Sequence, residues 1–387
     1  MVKSKKSVDT LAIQAGRMSE EHFGVVNTPV YRASTILHPD LAALESKEAP
    51  YVYGRLGTPT SRSLEEAITA LEGGATTVLC PSGLNAIITA IMSVCAAGDH
   101  LLVSDSCYGP THIFCSKVLK RFGVETTFYD PLIGAGIESQ IRPNTKAIFC
   151  ESPGSLTFEI QDVPAIAAVA HAHGASVLLD NTWSTPFFFD AFAHGVDLSI
   201  QAATKYIGGH ADVMIGYVTA NASHQSRLAE WHDLTGLYVS GDDCFLALRG
   251  VRTLPVRLNR HQETALRLAR WLKQKPEVSR VLHPALEDDP GHAIWKRDFK
   301  GSSGLFGVVF HPMPRAALAV FMDGLEHFGL GFSWGGYESL IVPANIMRSV
   351  KPFDAEGPVV RIHAGLEDAD DLLADLEAGF GRMKAAL

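Results

Sequence analysis

Between residues 76 and 220 the chain alternates short, almost wholly apolar runs with longer amphipathic ones, and this alternation narrows the fold more than any other feature. The runs at 76–80, 100–104, 124–129, 146–151, 176–180, 198–202 and 213–220 read as strands. The segments at 83–96, 110–121 and 163–173 read as helices between them. A strand that is apolar on both faces needs cover on both. Helices on either side of a mostly parallel, doubly wound sheet supply it, so the expected class is α/β. A helix at 61–71 precedes the first strand, with Ser61 or Ser63 to cap it and Gly73-Gly74 to stop it.

Outside this stretch the pattern thins. Residues 1–55 lack long periodic segments and read as an irregular arm. Residues 56–250 form the expected large domain. Beyond it, helices at 256–273, 314–326 and 370–383 and strands at 304–311 and 359–363 outline a smaller α+β domain over 251–387.

Several function classes fall away on composition. The net charge is −9 and no basic block is present, which argues against a nucleic-acid partner. No run of eighteen apolar residues occurs, so no membrane-spanning helix is expected. The basic start is followed by Ser7-Val8-Asp9-Thr10 instead of an apolar stretch, which is not a secretory pattern. The six cysteines form no Cys-x-x-Cys pair and read as reduced core thiols of a cytoplasmic protein. The histidines at 171, 173 and 210 lack further ligands at metal-site spacing, so no metal is expected.

The chemistry concentrates at a few positions. Lys205 follows the apolar run at 198–202 and precedes Gly208-Gly209. A lysine fixed there is aimed inward, where burial lowers its pKa and frees the amine to form an imine. Asp180 ends the run at 176–180 and is placed to face a cationic ring nitrogen. Ser82, Gly83 and Leu84 join a strand to a helix, where free amides and the helix dipole favour a phosphate, and Gly83 is expected to admit the anion closely. No G-x-G-x-x-G or Walker-type loop is present, which argues against a nucleotide and against a Rossmann dehydrogenase. Tyr53 and Arg55, two apart in a segment read as extended, point the same way and offer a hydroxyl and a bidentate fork. Tyr108 lies in a loop after the run at 100–104, where a ring can stack on a flat cofactor. Arg361 sits inside an apolar strand, where an anionic ligand would offset its burial; an edge strand facing water is the other reading. Ser333 and Trp334 precede the tight Gly335-Gly336 turn. Each residue alone fits an ordinary structural role. Together, a strand-end carboxylate and an imine-forming lysine are what pyridoxal phosphate requires.

The motifs Tyr53-x-Arg55, Ser82-Gly83, Tyr108-Gly109, Glu151-Ser152-Pro153, Asp180-Asn181-Thr182, Thr204-Lys205-Tyr206 with Gly209-His210, Gly335-Gly336-x-Glu338-Ser339-Leu340 and Arg361 occur in this order. The set resembles the cysteine and methionine metabolism family of pyridoxal-phosphate enzymes, from Tyr53 to Gly365. The resemblance implies an aspartate-aminotransferase-like fold (fold type I) and pyridoxal 5'-phosphate as cofactor. It implies Lys205 as covalent anchor and proton carrier, Asp180 at the ring nitrogen, and Tyr108 stacked on the ring. Ser82, Gly83, Leu84 and Thr204 would surround the phosphate, joined by Tyr53 and Arg55 of a neighbouring subunit. Arg361, Ser333, Trp334 and Tyr53 would face the substrate, a small sulfur amino acid. The implied assembly is a homotetramer, a dimer of dimers.

The run Phe332-Ser333-Trp334-Gly335-Gly336-Tyr337 is similar to that of the bacterial cystathionine β-lyases. It implies β-elimination of cystathionine to homocysteine, pyruvate and ammonia. γ-Elimination or γ-replacement is the alternative, separated by Phe332 and Trp334, where γ-lyases tend to carry glutamate and leucine. A non-catalytic cofactor-fold regulatory protein is a third reading, opposed by Lys205, Asp180, Tyr108 and Arg361 occurring together. One departure concerns the phosphate. Many members carry serine two residues before the lysine, where Ala203 stands, so a contact is expected to be lost there or supplied by Thr204, an amide or water.

Overall fold

The computed structural model describes residues 6–46 and 48–386, and its strands gather into two sheets. Residues 1–5, the start of the expected arm, lie outside the described residues. The first sheet holds β1 (Thr76–Cys80), β2 (His100–Ser104), β3 (Glu125–Tyr129), β4 (Thr145–Glu151), β5 (Ser176–Asp180), β6 (Leu198–Gln201) and β7 (Gly216–Ala220), in the order β1-β7-β6-β5-β4-β2-β3. From β6 to β3 neighbouring strands run parallel, while β7 is antiparallel to both its neighbours.

The apolar runs are buried on both faces, as their composition demands. Leu101, Val103, Phe149 and Leu178 pack with helix Gly83–Val94 on one side. Leu102, Ile148, Cys150, Val177 and Leu179 pack with helix Val163–Ala172 on the other. Alternation along each strand divides them.

The second sheet holds β8 (Val278–Leu282), β9 (Leu305–Phe310), β10 (Phe328–Gly329), β11 (Ser339–Pro343) and β12 (Val359–His363), in the order β10-β11-β12-β9-β8. Its pairs are antiparallel except β10 with β11. Helices Leu254–Leu272, Arg315–Asp323 and Ala369–Ala385 pack on it around Phe306, Phe310, Phe321 and Phe380. The strands β8, β10 and β11 were not expected. β8 carries Ser279 and Arg280 at its centre, β10 is only two residues long, and β11 begins straight after the Gly335-Gly336 turn region, so none presents a long apolar run.

Three segments depart from expectation. The helix expected at 110–121 is instead an α turn at Gly109–Ile113, a π turn at Phe114–Val118 and a 3-10 turn at Leu119–Phe122. The strand expected at 213–220 begins only at Gly216, because Ile215 is held by Thr204: the Thr204 hydroxyl accepts from Ile215 N (2.9 Å) and donates to its carbonyl (3.0 Å). The arm is not wholly irregular. Helix Val8–Gln14, capped by Ser7, buries Ala12 with Leu64, Ala67 and Ile68, and Arg252 donates to the carbonyls of Ala12 (2.9 Å) and Ala15 (2.8 Å). Beyond it the chain is open, with Phe23, Leu37, Leu41 and Leu44 exposed. Among the described residues no helix is long and apolar enough to cross a membrane. All six cysteines are buried and unpaired.

Candidate active site

Strands β4, β5 and β6 run parallel, so their C-terminal ends share one edge of the large sheet, where ligands of open α/β sheets bind. Glu151 ends β4 and Asp180 ends β5, directly opposite each other in the register. Lys205 follows β6 in a turn closed by Gly208 N to Ala203 O (2.8 Å) and Gly209 N to Lys205 O (2.8 Å). The buried guanidinium of Arg257 braces this turn from behind, donating to the carbonyls of Tyr206 (2.7 Å) and Gly250 (2.7 Å).

Lys205 is partly buried, and burial first, then the charge of Arg361, brings its pKa down from 10.5 to about 8, with Asp180 opposing. Its Nζ donates to Ser333 Oγ at 2.7 Å and lies 5.2 Å from the centre of the Trp334 ring. An amine so placed has a much larger neutral, nucleophilic fraction near pH 8 than an exposed lysine. Burial also raises the Asp180 pKa, opposed by hydrogen bonds from Thr182 and by Lys205. A carboxylate held against burial in this way suits a cationic partner. Glu151 is pushed well above the usual carboxylate range by burial and then by Asp180.

The second sheet supplies the opposite wall. β12 lies between β11 and β9, so Arg361 is not on an edge strand. Val360 and Ile362 enter the core, and Arg361 and His363 take the other face. Arg361 Nη2 donates to the carbonyl of Ser333 at 2.8 Å. Ser333 stands at φ 79°, the left-handed region that a non-glycine residue seldom adopts. Its hydroxyl on Lys205 and its carbonyl on Arg361 hold it there. Gly335, at φ 85°, lies against the lysine's own backbone: a Cβ there would meet Tyr206 N at 2.8 Å. Its amide donates to the buried His363 Nε2 (3.1 Å). Trp334 packs 5.4 Å from Tyr206, ring to ring.

Ser82 caps helix Gly83–Val94, accepting from Asn85 N at 3.1 Å. The first amides of a helix have no intrahelical acceptor. Asn85 N goes to the Ser82 hydroxyl and Ala86 N to its carbonyl, which leaves Gly83 and Leu84 N–H for a ligand. Gly83 lies against Ala202, whose Cβ would stand 2.4 Å from one added at 83. The side chain of Ala203 lies in a core cluster with Leu79 and Tyr206, whereas that of Ala202 lies against Gly83. The Thr204 hydroxyl is engaged by both polar groups of Ile215.

Tyr108 is half exposed, and its amide donates to Glu151 Oε2 at 2.7 Å, which fixes the loop. Burial, Glu151 and Asp180 raise its pKa, so the phenol keeps its proton. Tyr53 and Arg55 are not brought to this site within the chain. Gly54–Leu56 is a 3-10 turn, not an extended segment, and Arg55 Nη1 donates to the Asp233 carbonyl (3.1 Å) while Tyr53 is exposed.

The residues fit pyridoxal phosphate: a depressed lysine for the aldehyde, a buried carboxylate for the ring nitrogen, and two free amides at a helix N-terminus for the phosphate. Sequence reasoning missed the braces. Glu151 stood in a quoted motif without a role. Arg257 was detectable as a charge on the apolar stripe of Leu254, Leu258, Ala265 and Leu268.

Comparison with known proteins agrees with this geometry. Residues 9–381 match the model of the Cys/Met metabolism PLP-dependent enzyme family. The chain is 44% identical to the cystathionine beta-lyase of Escherichia coli, covering 98% of this chain and 99% of the other. It is 34% identical to the cystathionine gamma-lyase of Bacillus subtilis, over 95% and 97%. The crystal structure of a cystathionine gamma synthase from Xanthomonas oryzae pv. oryzae superposes with a TM-score of 0.92 at 32% identity, covering 99% of this chain and all of the other. The doubly wound sheet with its smaller α+β unit is thus fold type I, and the chain belongs to the Cys/Met metabolism family of pyridoxal-phosphate-dependent enzymes.

Proposed function

We propose that the chain is a carbon–sulfur lyase that carries pyridoxal phosphate on Lys205 and cleaves L-cystathionine by β-elimination to homocysteine, pyruvate and ammonia. The observation that carries this reading is the Lys205–Ser333–Arg361 connection, which sets a depressed amine beside a guanidinium suited to an α-carboxylate. The cystathionine beta-lyase of E. coli, more similar in sequence than the B. subtilis gamma-lyase, supports the bond assigned.

The cofactor, when bound, supplies an electron sink for a carbanion next to the substrate's amino group. Arg361 binds the α-carboxylate with a planar fork and so orients the Cα–H bond. Asp180 keeps a proton on the ring nitrogen. The Lys205 amine removes the α-proton and returns one to the departing sulfur. Tyr108 would supply a ring to stack on the cofactor, and Trp334 and Ser333 would line the substrate side. The amides of Gly83 and Leu84, with Ser82, hold the phosphate.

Tyr53 and Arg55 act on a neighbouring subunit's phosphate in a homotetramer, a dimer of dimers. The exposed apolar side chains of residues 23–44 and the engagement of Arg55 with the Asp233 carbonyl in its own chain support this. The arm (1–55), large domain (56–250) and C-terminal domain (251–387) divide the work between subunit contact, cofactor and substrate. The unpaired, buried cysteines support a cytoplasmic location.

Incubation of the purified protein with L-cystathionine, followed by identification of the keto acid, tests the reading. Pyruvate with homocysteine is the expected outcome. 2-Oxobutyrate with cysteine would replace it by γ-elimination, and a protein that binds cofactor yet releases no keto acid would be a non-catalytic member.

A further inference from the structure

Residues 344–358 join β11 to β12 and form no strand or helix of their own. They leave the second sheet at Pro343, which pairs with Val360, one step from the Val342–Arg361 pair. They then cross to the loop that carries Tyr108: a methyl added to Gly109 would stand 3.8 Å from Met347 Sδ. The segment therefore spans the mouth of the site, from the arginine assigned to the carboxylate to the tyrosine assigned to the ring.

The strap is fastened on its inner side. Ile346, Phe353 and Ala355 pack on the core beneath the large sheet. Arg348, with its side chain only 7% exposed, pairs with Glu159 and donates to Thr157 Oγ1 at 3.2 Å. Asp105, buried just beyond β2, accepts from Ser349 N (2.9 Å), Ser349 Oγ (2.6 Å) and Val350 N (2.8 Å). His112, stacked on Phe128 at 3.9 Å, lies 3.3 Å from the same Ser349 hydroxyl. A carboxylate that satisfies consecutive main-chain amides fixes a loop that has no ladder of its own. Ile346 and Arg348 are partly buried while Asn345 and Met347 are exposed, and of this exposed pair Met347 is the one beside Gly109, next to Tyr108.

We infer that Met347 is a specificity-determining residue for the substrate's leaving group, and that Asp105 is the positioning residue that holds it at the mouth. The inference rests on the lyase reading above. A flexible apolar side chain at this wall accepts a long thioether arm, and a bulkier one shortens the space left for it.

The test compares kcat/KM for L-cystathionine, with its long leaving group, and 3-chloro-L-alanine, which loses only chloride. Met347→Trp is expected to cut the cystathionine value about tenfold or more while leaving 3-chloroalanine within about twofold. Asp105→Asn is expected to raise KM for cystathionine with kcat on 3-chloroalanine unchanged, and to speed tryptic cleavage after Arg348. Ser349→Ala, which removes one donor to Asp105 from an exposed position, should shift KM the same way by less. Equal losses on both substrates, or none on either, with pyruvate still formed by the wild type, would overturn the inference alone. Failure of the wild type to release pyruvate from either amino acid would overturn the lyase reading and the inference with it.

Discussion

In the seven-stranded sheet the site residues stand at or just beyond the ends of strands buried on both faces, whereas in the five-stranded sheet only Arg361 stands within a strand and Ser333 and Trp334 hang in a turn. The first arrangement borrows its rigidity from a continuous core, so Asp180 and Glu151 are placed by register and Lys205 by a turn braced through Arg257. The second borrows it from side chains: Ser333, in a disfavoured backbone conformation, is bound by Lys205 at its hydroxyl and by Arg361 at its carbonyl. A cofactor bound in one pose suits the first. A substrate that must enter and leave suits the second, where few bonds hold the wall.

This contrast can be broken or sharpened by mutation. The largest effect is expected from mixing inactive chains. Lys205→Ala lacks the anchor and Arg55→Ala the proposed partner-side contact, so each alone should be nearly inactive. Exchange of subunits at equal ratio should restore roughly a quarter of the sites, because one site of each mixed pair then draws both wild-type residues from different chains. No recovery after verified exchange, or an active monomer, would place the arm's contribution within its own chain. A smaller effect is expected in the second sheet. Arg361→Lys keeps the charge but loses the fork, which should cost about 2–3 kcal/mol of transition-state binding, roughly a 100-fold fall in kcat/KM. The cofactor's absorbance should be unchanged, since the first sheet holds the cofactor. Loss of absorbance together with activity would mean that the two sheets do not divide the work.

The same contrast explains what could be read from the sequence. Lys205 and Asp180 were legible because a polar residue ending a wholly apolar run marks a strand terminus. Arg361 was legible because a charge inside such a run needs an explanation. The second sheet was largely hidden. β8 and β11 have no long apolar signal, and the strap that follows β11 takes its shape from Asp105, more than two hundred residues earlier in the chain. Tertiary contacts around the turn before Lys205 were also hidden: Gly83 lies against Ala202, the Thr204 hydroxyl bonds Ile215, and the side chain of Ala203 enters a core cluster. The 3-10 turn at Gly54 lay beyond reach because its glycine is required by a distant backbone: a Cβ there would meet the Ala33 carbonyl at 1.8 Å.

The central claim is that one amine, its pKa lowered by partial burial and by Arg361, is the covalent anchor at the meeting of the two sheets. Borohydride reduction of the purified holoprotein, followed by peptide mapping, tests this most directly. The account predicts a pyridoxyl group on the peptide containing Lys205 and on no other. A protein that stays colourless after addition of pyridoxal phosphate, or a label on a different lysine, would contradict it.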